Sequence, residues 1–227
     1  MNKYFKIFMA LPKTVYYNIK LFGIKRGIGL PIYVGGGYKI KASKGSISIP
    51  SQSKRFMIKF GLNEGTKSIA VADEGCIDIE DGGKLIFEGN ADFKPGCKIV
   101  VKSKGVLEIG ANFTCNRNGL FSVDAPVCIG EDALLGWNVK LRTSDGHPIY
   151  EIEDESKEIN PAKPINIGNH VWIAADVDIL KGVKIPSNCV IGYRSCVTKS
   201  IQEENCVIAG YPAKIVKRDI MWRRDHK

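Results

Sequence analysis

Few side chains in this sequence are suited to acid–base chemistry at neutral pH, and histidine is the scarcest of them. The 227 residues include three histidines, and one of these, His147, lies in a polar, proline-containing segment at 142–164 that interrupts an otherwise regular pattern. An imidazole exchanges protons at neutral pH because its unperturbed pKa is about 6.5. An isolated histidine is usually structural, but a long excursion from a regular fold often carries functional groups. His147 and its segment are therefore candidates for function.

The other groups that could act as nucleophiles or metal ligands are poorly arranged for it. His170 lies inside the regular pattern, where we expect an outward, solvated side chain, and His226 lies in the C-terminal tail. The seven cysteines are scattered without any C-x-x-C spacing, so they predict neither a disulfide framework nor a zinc site. They also show no pairing with a histidine that would activate a thiolate. We therefore expect no metal site and a protein of the reducing cytoplasm.

The regular pattern that must position these residues is a six-residue repeat. Each unit has an aliphatic residue at its first place, mostly a small residue at its second, and a small or β-branched residue at its fifth. The first places of six consecutive units are Ile167, Ile173, Ile179, Ile185, Ile191 and Val197. Three units would complete a triangular coil of about 18 residues, with first-place side chains inside and successive coils about 4.8 Å apart. The sequence therefore predicts a parallel β-helix.

A looser form of the repeat extends upstream, where the period lengthens. Ile77 and Leu85 recur as Ile99 and Leu107, which is a step of 22 residues. We expect about eight or nine coils between residues 40 and 210, stacked at the ordinary strand spacing. The length of the chain suits one such domain with small appendages.

The predicted organisation has three parts. They are a helical, basic and aromatic cap at 1–35, a β-helix at 36–210 with a protruding loop at 142–164, and a C-terminal extension at 211–227.

The N-terminal segment mixes aromatic and basic residues. Residues 1–22 have a pattern typical of a helix, and their apolar runs are too short to span a bilayer and lack a secretory cleavage site. We favour a cap over the first coil, since the end of a β-helix exposes unpaired backbone. The alternative is an interfacial anchor at the inner face of the membrane. The net charge of +9 suits either an anionic membrane or an anionic cofactor, and we expect no nucleic-acid partner.

Four short motifs, taken together, resemble a known family. They are Ser144-Asp145-Gly146-His147-Pro148-Ile149, Val171-Trp172-Ile173-Ala174, Val197-Thr198-Lys199-Ser200 and Ala209-Gly210-Tyr211-Pro212-Ala213-Lys214, in this order. This series resembles the hexapeptide-repeat acyltransferases, and within them the sugar and capsular polysaccharide O-acetyltransferases that are related to galactoside, maltose and xenobiotic acetyltransferases. The resemblance implies an all-β, left-handed parallel β-helix and transfer of an acetyl group from acetyl-CoA to a hydroxyl group.

The resemblance also implies a role for individual residues. His147 matches the general base, which must take the proton of an alcohol because an alcohol is a poor nucleophile at neutral pH. The residues that match donor-binding positions are Trp172, Ala174, Ala175, Tyr193, Thr198, Lys199, Pro212, Ala213, Lys214 and Lys217. The residues that match sugar-binding positions are Asn116 and Asp124.

Two departures from the family pattern bear on these assignments. Tyr193 and Arg194 stand where relatives have Ala-Gly, which predicts a narrower or shifted slot for the donor. Ala174 and Ala175 stand where several relatives have a glycine followed by a serine. No hydroxyl could then bind the oxyanion, so the backbone N–H of Ala175 would have to do so.

The leading hypothesis is acetylation of a sugar hydroxyl in capsule, exopolysaccharide or lipopolysaccharide assembly. The resemblance implies a homotrimer whose active sites lie between neighbouring subunits. One alternative is an O-acetyltransferase that modifies xenobiotics or antibiotics, which would share every motif. A second alternative is a non-catalytic hexapeptide-repeat scaffold, which Tyr193 keeps open.

Overall fold

One helix and a long series of short strands make up the fold. The computed structural model describes residues 3–62 and 74–224. The helix α1 spans Lys3–Gly27. The strands are β1 (Ile32–Val34), β2 (Tyr38–Lys41), β3 (Ile47–Ser48), β4 (Ile58–Phe60), β5 (Gly75–Ile79), β6 (Lys84–Phe87), β7 (Ala91–Phe93), β8 (Lys98–Val101), β9 (Val106–Ile109), β10 (Phe113–Cys115), β11 (Leu120–Val123), β12 (Val127–Ile129), β13 (Leu134–Leu135), β14 (Lys140–Arg142), β15 (Tyr150–Glu151), β16 (Asp154–Glu158), β17 (Ile165–Ile167), β18 (Trp172–Ile173), β19 (Asp178–Leu180), β20 (Lys184–Ile185), β21 (Val190–Ile191), β22 (Cys196–Val197), β23 (Val207–Gly210) and β24 (Ala213–Lys217).

These strands form the three faces of a prism. Face 1 has the order β1-β4-β7-β10-β13-β18-β21-β23-β24, face 2 the order β2-β5-β8-β11-β14-β19-β22, and face 3 the order β3-β6-β9-β12-β17-β20. Neighbours within a face are parallel, except that β24 folds back antiparallel on β23. The chain therefore visits the three faces in turn and winds as a parallel β-helix.

The faces meet at three edges, which hold the turns. The first edge lies between faces 1 and 2 and includes 116–119, 136–139, 174–177 and 192–195. The second edge lies between faces 2 and 3 and includes 124–126, 143–164, 181–183 and 198–200. The third edge lies between faces 3 and 1 and includes 110–112, 130–133, 168–171 and 186–189.

The six-residue repeat determines the register as predicted. Ile167 pairs with Ile185, Ile173 with Ile191, and Ile179 with Val197. All six side chains are buried inside the prism.

The number of coils lies at or just below the predicted eight or nine. Among the described residues, face 1 stacks eight parallel strands from β1 to β23, and face 2 stacks seven. Some coils are longer than 18 residues, since Ile32 pairs with Ile58 and Leu134 pairs with Trp172.

The helix closes the open end of the first coil through polar side chains. Asn18 donates from Nδ2 to the carbonyl oxygen of Ile32 at 2.7 Å and accepts from the Ile32 N–H at 3.1 Å. Thr14 Oγ1 accepts from the N–H of Val34 at 3.1 Å. On face 2, the hydroxyl of Tyr17 accepts from the N–H of Ile40 at 3.1 Å. The helix thus satisfies edge groups that would otherwise be unpaired. Within the described residues, no helix is both long enough and apolar enough to cross a bilayer.

We predict that Asn18→Ala lowers the free energy of unfolding by about 2 to 3 kcal/mol, because it leaves two buried backbone groups of β1 without partners. Urea denaturation measures this change. Lys20→Ala on the solvent side of the same helix is the matched control, and it should stay within about 0.5 kcal/mol of the wild type. Equal effects of the two substitutions would contradict the capping role of Asn18.

Candidate active site

Turn residues of successive coils form columns along the first edge. The N–H of Asp176 donates to the carbonyl oxygen of Trp137 at 2.8 Å, and the N–H of Arg194 donates to that of Ala175 at 3.1 Å. Together with the strand register, these bonds place Trp137, Ala175 and Tyr193 at the same turn position of three neighbouring coils.

The small side chain of Ala175 leaves a notch in this column. Trp137 above it and Tyr193 below it are 49% and 59% exposed, and two strand spacings separate them by about 10 Å. Within residues 3–62 and 74–224, the N–H of Ala175 has no hydrogen-bond acceptor. The same is true of the N–H groups of Trp137 and Tyr193, so the free N–H is a property of this turn. Ala175 differs because its side chain is a methyl group between two aromatic neighbours.

A second column behind the notch is packed too tightly for change. A Cβ on Gly136 would lie 2.6 Å from both the carbonyl carbon of Ala174 and the nitrogen of Ala175. A Cβ on Gly192 would lie 3.0 Å from Cβ of Ala209. Because neither glycine has a side chain, the neighbouring coils can approach closely. The peptide of Ala175 is packed against Gly136 as a result.

Tyr193 and Arg194, from which we predicted a narrower or shifted donor slot, contact each other. The guanidinium of Arg194 lies 5.4 Å from the centre of the Tyr193 ring, which is within cation–π range. Any ligand that lies along the first edge would pass this stacked pair.

A groove beside the first edge was not predicted from the sequence. It has a volume of about 570 Å³, and its lining includes Lys98, Lys140, Asn118, Asn138 and Asp176. Nδ2 of Asn138 donates to Oδ1 of Asp176 at 2.8 Å. Asn118 and Asn138 have positive φ angles of 62° and 56°, so in the sequence they are indistinguishable from ordinary turn asparagines.

At the second edge, the loop 143–164 leaves the prism, and its first residue is firmly held. Thr143 is fully buried. Its Oγ1 accepts from the N–H of Asp124 at 2.7 Å and from that of Ala125 at 3.1 Å, and it donates to the carbonyl oxygen of Ser122 at 3.2 Å. One side chain thereby joins the start of the loop to the preceding coil.

A clamp of three side chains holds the segment around His147. Nζ of Lys181 donates to Oδ2 of Asp145 and to the carbonyl oxygen of Asn160, both at 2.6 Å. Nδ2 of Asn160 donates to Oδ2 of Asp145 at 2.9 Å and to the carbonyl oxygen of His147 at 3.0 Å. The hydrogen bond from Lys181 lowers the pKa of Asp145, with a smaller contribution from Asn160. The carboxylate therefore orders the loop and does not orient the imidazole.

The imidazole of His147 is exposed in the single chain. Its ring nitrogens have no hydrogen-bond partner in the part of the chain that the structure describes. Beyond His147 the loop forms the antiparallel hairpin β15–β16. The clamped start of the loop therefore supports a projecting hairpin.

The remaining predicted residues lie at the second edge and at the C-terminal hairpin. Thr198 and Lys199 are exposed at the second edge, next to Ser200, whose hydroxyl accepts from the N–H of Lys184 at 3.0 Å. Asp124 is half-buried at the same edge. In the hairpin of β23 and β24, Ala213 is buried whereas Pro212, Lys214 and Lys217 are exposed.

The structure thus divides the predicted site between two edges of one prism. Asn116, Ala174, Ala175 and Tyr193 lie on the first edge, whereas Asp124, His147, Thr198 and Lys199 lie on the second. Face 2 separates these two sets, and a six-residue side is about 20 Å wide at the ordinary rise per residue.

The C-terminal tail corrects one expectation. His170 is not a solvated side chain, since its Nδ1 lies 2.6 Å from Oδ2 of Asp132 and its ring stacks on Trp222 at 4.1 Å. Arg224 of the same tail also binds Asp132, because its Nε donates to Oδ1 at 2.6 Å. Trp222 lies 6.1 Å from Trp172, so the folded tail also supports the side of the predicted donor-binding tryptophan.

Comparisons with known proteins identify the family. No family model matches the chain. Polysialic acid O-acetyltransferase of Neisseria meningitidis is 36% identical over 179 residues, which are 79% of this chain and 75% of that protein. The crystal structure of the polySia-specific acetyltransferase NeuO has a TM-score of 0.59 and 32% identity, and covers 84% of this chain and 91% of that one. The chain belongs to the hexapeptide-repeat O-acetyltransferases.

Membership of this family confirms the fold class predicted from the sequence. The left-handed parallel β-helix is the fold class that the three parallel faces and the similarity to NeuO support. The relatives carry names of O-acetyltransferases. The match to polysialic acid O-acetyltransferase of Escherichia coli O1:K1, 39% identical over 141 residues, spans 62% of this chain but 43% of that protein.

We predict that Lys181→Met loosens the loop around His147 while the prism stays folded. Tryptic cleavage after the exposed Lys157 should accelerate by about tenfold or more, because the clamp between Asp145 and Asn160 loses its cation. Limited proteolysis followed by mass spectrometry measures the rate. Lys184→Met, an exposed lysine outside the clamp, should leave the cleavage rate unchanged, and equal rates in both variants would argue against the clamp.

Proposed function

We propose that this protein is an acetyl-CoA-dependent O-acetyltransferase that acetylates a sugar hydroxyl. Two of its relatives are named for polysialic acid, another for galactosides and another for lipopolysaccharide biosynthesis. These names favour a saccharide acceptor over a xenobiotic one. The step that it would serve belongs to capsule, exopolysaccharide or lipopolysaccharide assembly.

The division of the site between two edges carries the proposal of a homotrimer. The candidate base and the candidate oxyanion donor cannot meet across face 2 of one prism, since about 20 Å of strand separates them. A second copy that brings its second edge against the first edge of its neighbour would unite His147 with Ala175. A cyclic trimer repeats this contact three times and closes.

In such a site each group has one chemical task. The imidazole of His147 takes the proton of the sugar hydroxyl while the hydroxyl oxygen attacks the carbonyl carbon of the thioester. The free N–H of Ala175 binds the oxyanion that forms on that carbonyl. The C–S bond then breaks, and the imidazolium returns the proton to the departing thiolate. The transfer needs no metal ion and no covalent intermediate on the protein.

Both edges carry groups that could bind the acetyl donor. The notch between Trp137 and Tyr193 would take the thioester end, beside Trp172 and Ala174. Lys199, Lys214 and Lys217 have no ion-pair partner within the described ranges, so their charges are available to phosphate groups. The other residues in this proposed donor set are Ala175, Thr198, Pro212 and Ala213.

On the acceptor side, Asn116 and Asp124 lie on different edges of one prism, as Ala175 and His147 do. The same contact between copies would therefore bring the two acceptor residues together. Amide and carboxylate groups can hold ring hydroxyls through paired hydrogen bonds.

The location that fits this proposal is the cytoplasm, at the inner face of the membrane, where such polymers are assembled.

We predict that His147→Ala lowers turnover by about 10² to 10⁴ fold. The melting temperature should stay within about 2 °C of the wild type, because the exposed imidazole makes no hydrogen bond to the described residues. His170→Ala provides the contrast, since it should lower the melting temperature by removing a stacked and hydrogen-bonded ring. Unchanged turnover in the His147 variant would remove this residue from the mechanism.

A mixing experiment tests the shared site. Ala175→Trp should fill the notch and abolish turnover without unfolding the chain, because Trp137 and Tyr193 occupy the same turn position in adjacent coils. When this variant and His147→Ala are denatured, mixed and refolded together, about one quarter of the sites should combine an intact base with an intact notch. Recovery near that fraction of wild-type turnover supports a site between subunits, and no recovery would refute it.

A further inference from the structure

The positive charge of this chain is concentrated at one end of the prism. Residues 1–63 contain twelve Lys or Arg and no Asp or Glu, whereas the whole chain has a net charge of +9, so the rest carries a net charge of −3. Within this stretch, residues 3–62 form the helix α1 and the first coil with β1 to β4. The N-terminal end of the prism is therefore a strongly basic surface.

The helix at this end has two faces with different roles. Ala10, Thr14, Asn18 and Leu21 are buried against the first coil. Their spacing of four, four and three residues places them on one side of the helix. The polar members of this set are occupied by the edge of β1. The opposite side of the helix is not needed for the cap.

That opposite side exposes large apolar residues. Phe5, Phe8, Met9 and Tyr16 are 50%, 66%, 62% and 59% exposed. At 3.6 residues per turn they lie on the side away from Thr14. Exposed apolar residues that cluster in this way mark an interaction site more often than scattered ones do. We define these four residues as the outer ridge of α1.

Lysines border the outer ridge. Lys6 and Lys20 lie next to it on the helix. A helix with an aromatic apolar face and bordering lysines is the pattern that lies in the interface of an anionic membrane. Each cation near such a surface adds to the electrostatic attraction.

We propose that the N-terminal end of the prism docks on an anionic lipid surface, with the outer ridge of α1 inserted among the headgroups. End-to-end pairing of two copies is disfavoured, because it would bring two cation-rich surfaces into contact. Within the described residues, only Lys39 and Lys41 of this stretch form ion pairs, with Glu74 and Asp78 of the next coil. The inference deepens the proposed function by naming a partner surface, but it does not depend on acetyl transfer.

Docking in this way determines how far the candidate site lies from the lipid surface. The notch at Ala175 belongs to the sixth strand of face 1, counted from β1. Five strand spacings place it about 24 Å from the first coil along the prism axis. A sugar chain of several residues that extends from a lipid anchor could reach a site at this height.

Co-sedimentation of the full chain with lipid vesicles tests the proposal. The wild type should bind vesicles of phosphatidylcholine with about 30 mol % phosphatidylglycerol at least tenfold more tightly than pure phosphatidylcholine, and added salt should weaken binding. Phe5→Gln combined with Phe8→Gln should weaken binding to the anionic vesicles by tenfold or more. Lys6→Gln combined with Lys20→Gln should have a similar effect at low salt.

Matched controls use equally exposed residues at other places on the prism. Val216→Gln with Met221→Gln controls for the loss of apolar surface, and Lys104→Gln with Lys184→Gln controls for the loss of charge; both should bind like the wild type. Circular dichroism and melting temperature confirm that the variants are folded.

Three outcomes would overturn the proposal. The first is a wild type that does not bind anionic vesicles, and the second is equal binding by the ridge variants and their controls. The third combines two results for the ridge variants: unchanged vesicle binding, and a lower oligomeric state in the absence of lipid, measured by light scattering. Together these results would assign the ridge to a contact between copies. The vesicle measurement needs neither donor nor acceptor. Failure of acetyl transfer on a water-soluble oligosaccharide would therefore count against the proposed function alone.

Discussion

The inward stacking of aliphatic side chains at six-residue intervals is the constraint on which the rest of this molecule depends. Each coil must return to the same place one strand spacing further on, so that Ile173 meets Ile191 and Ile179 meets Val197. A residue that does not fit this arrangement has to lie outside it. Most candidate functional side chains are therefore found at the edges, where the turns leave the buried columns.

The candidate site is formed where turns of successive coils stack along the edges. Because the turns are in register, one small residue between two large ones is enough to create a notch, as Ala175 does between Trp137 and Tyr193. The second edge uses a different device, a long loop whose base is held by Thr143 and by the cation of Lys181. A rigid notch and a clamped, projecting loop on separate edges suit a site that two copies of the chain build together.

A stack of parallel coils also has two ends, and each needs a cover for its backbone groups. At the start, Thr14 and Asn18 satisfy the edge of β1 from one side of the helix. At the other end, β24 folds back on β23, and the tail that follows carries Trp222 and Arg224 to the third edge. Both covers expose apolar side chains, and on the helix Phe5, Phe8, Met9 and Tyr16 share the side that is turned away from the prism.

The period of the sequence by itself determined the coil, the buried columns and the place where the loop departs, because each of these depends on residues close together in the chain. The motifs around His147, Trp172 and Lys199 identified the family for the same reason. Only the tertiary structure decided the number of coils, since the insertions at the turns vary in length. It also decided the contact of His170 with Trp222, which are 52 residues apart, and the distribution of the candidate site over two edges. Such contacts depend on how many residues each turn absorbs and on where the tail returns, and local periodicity carries no information about either.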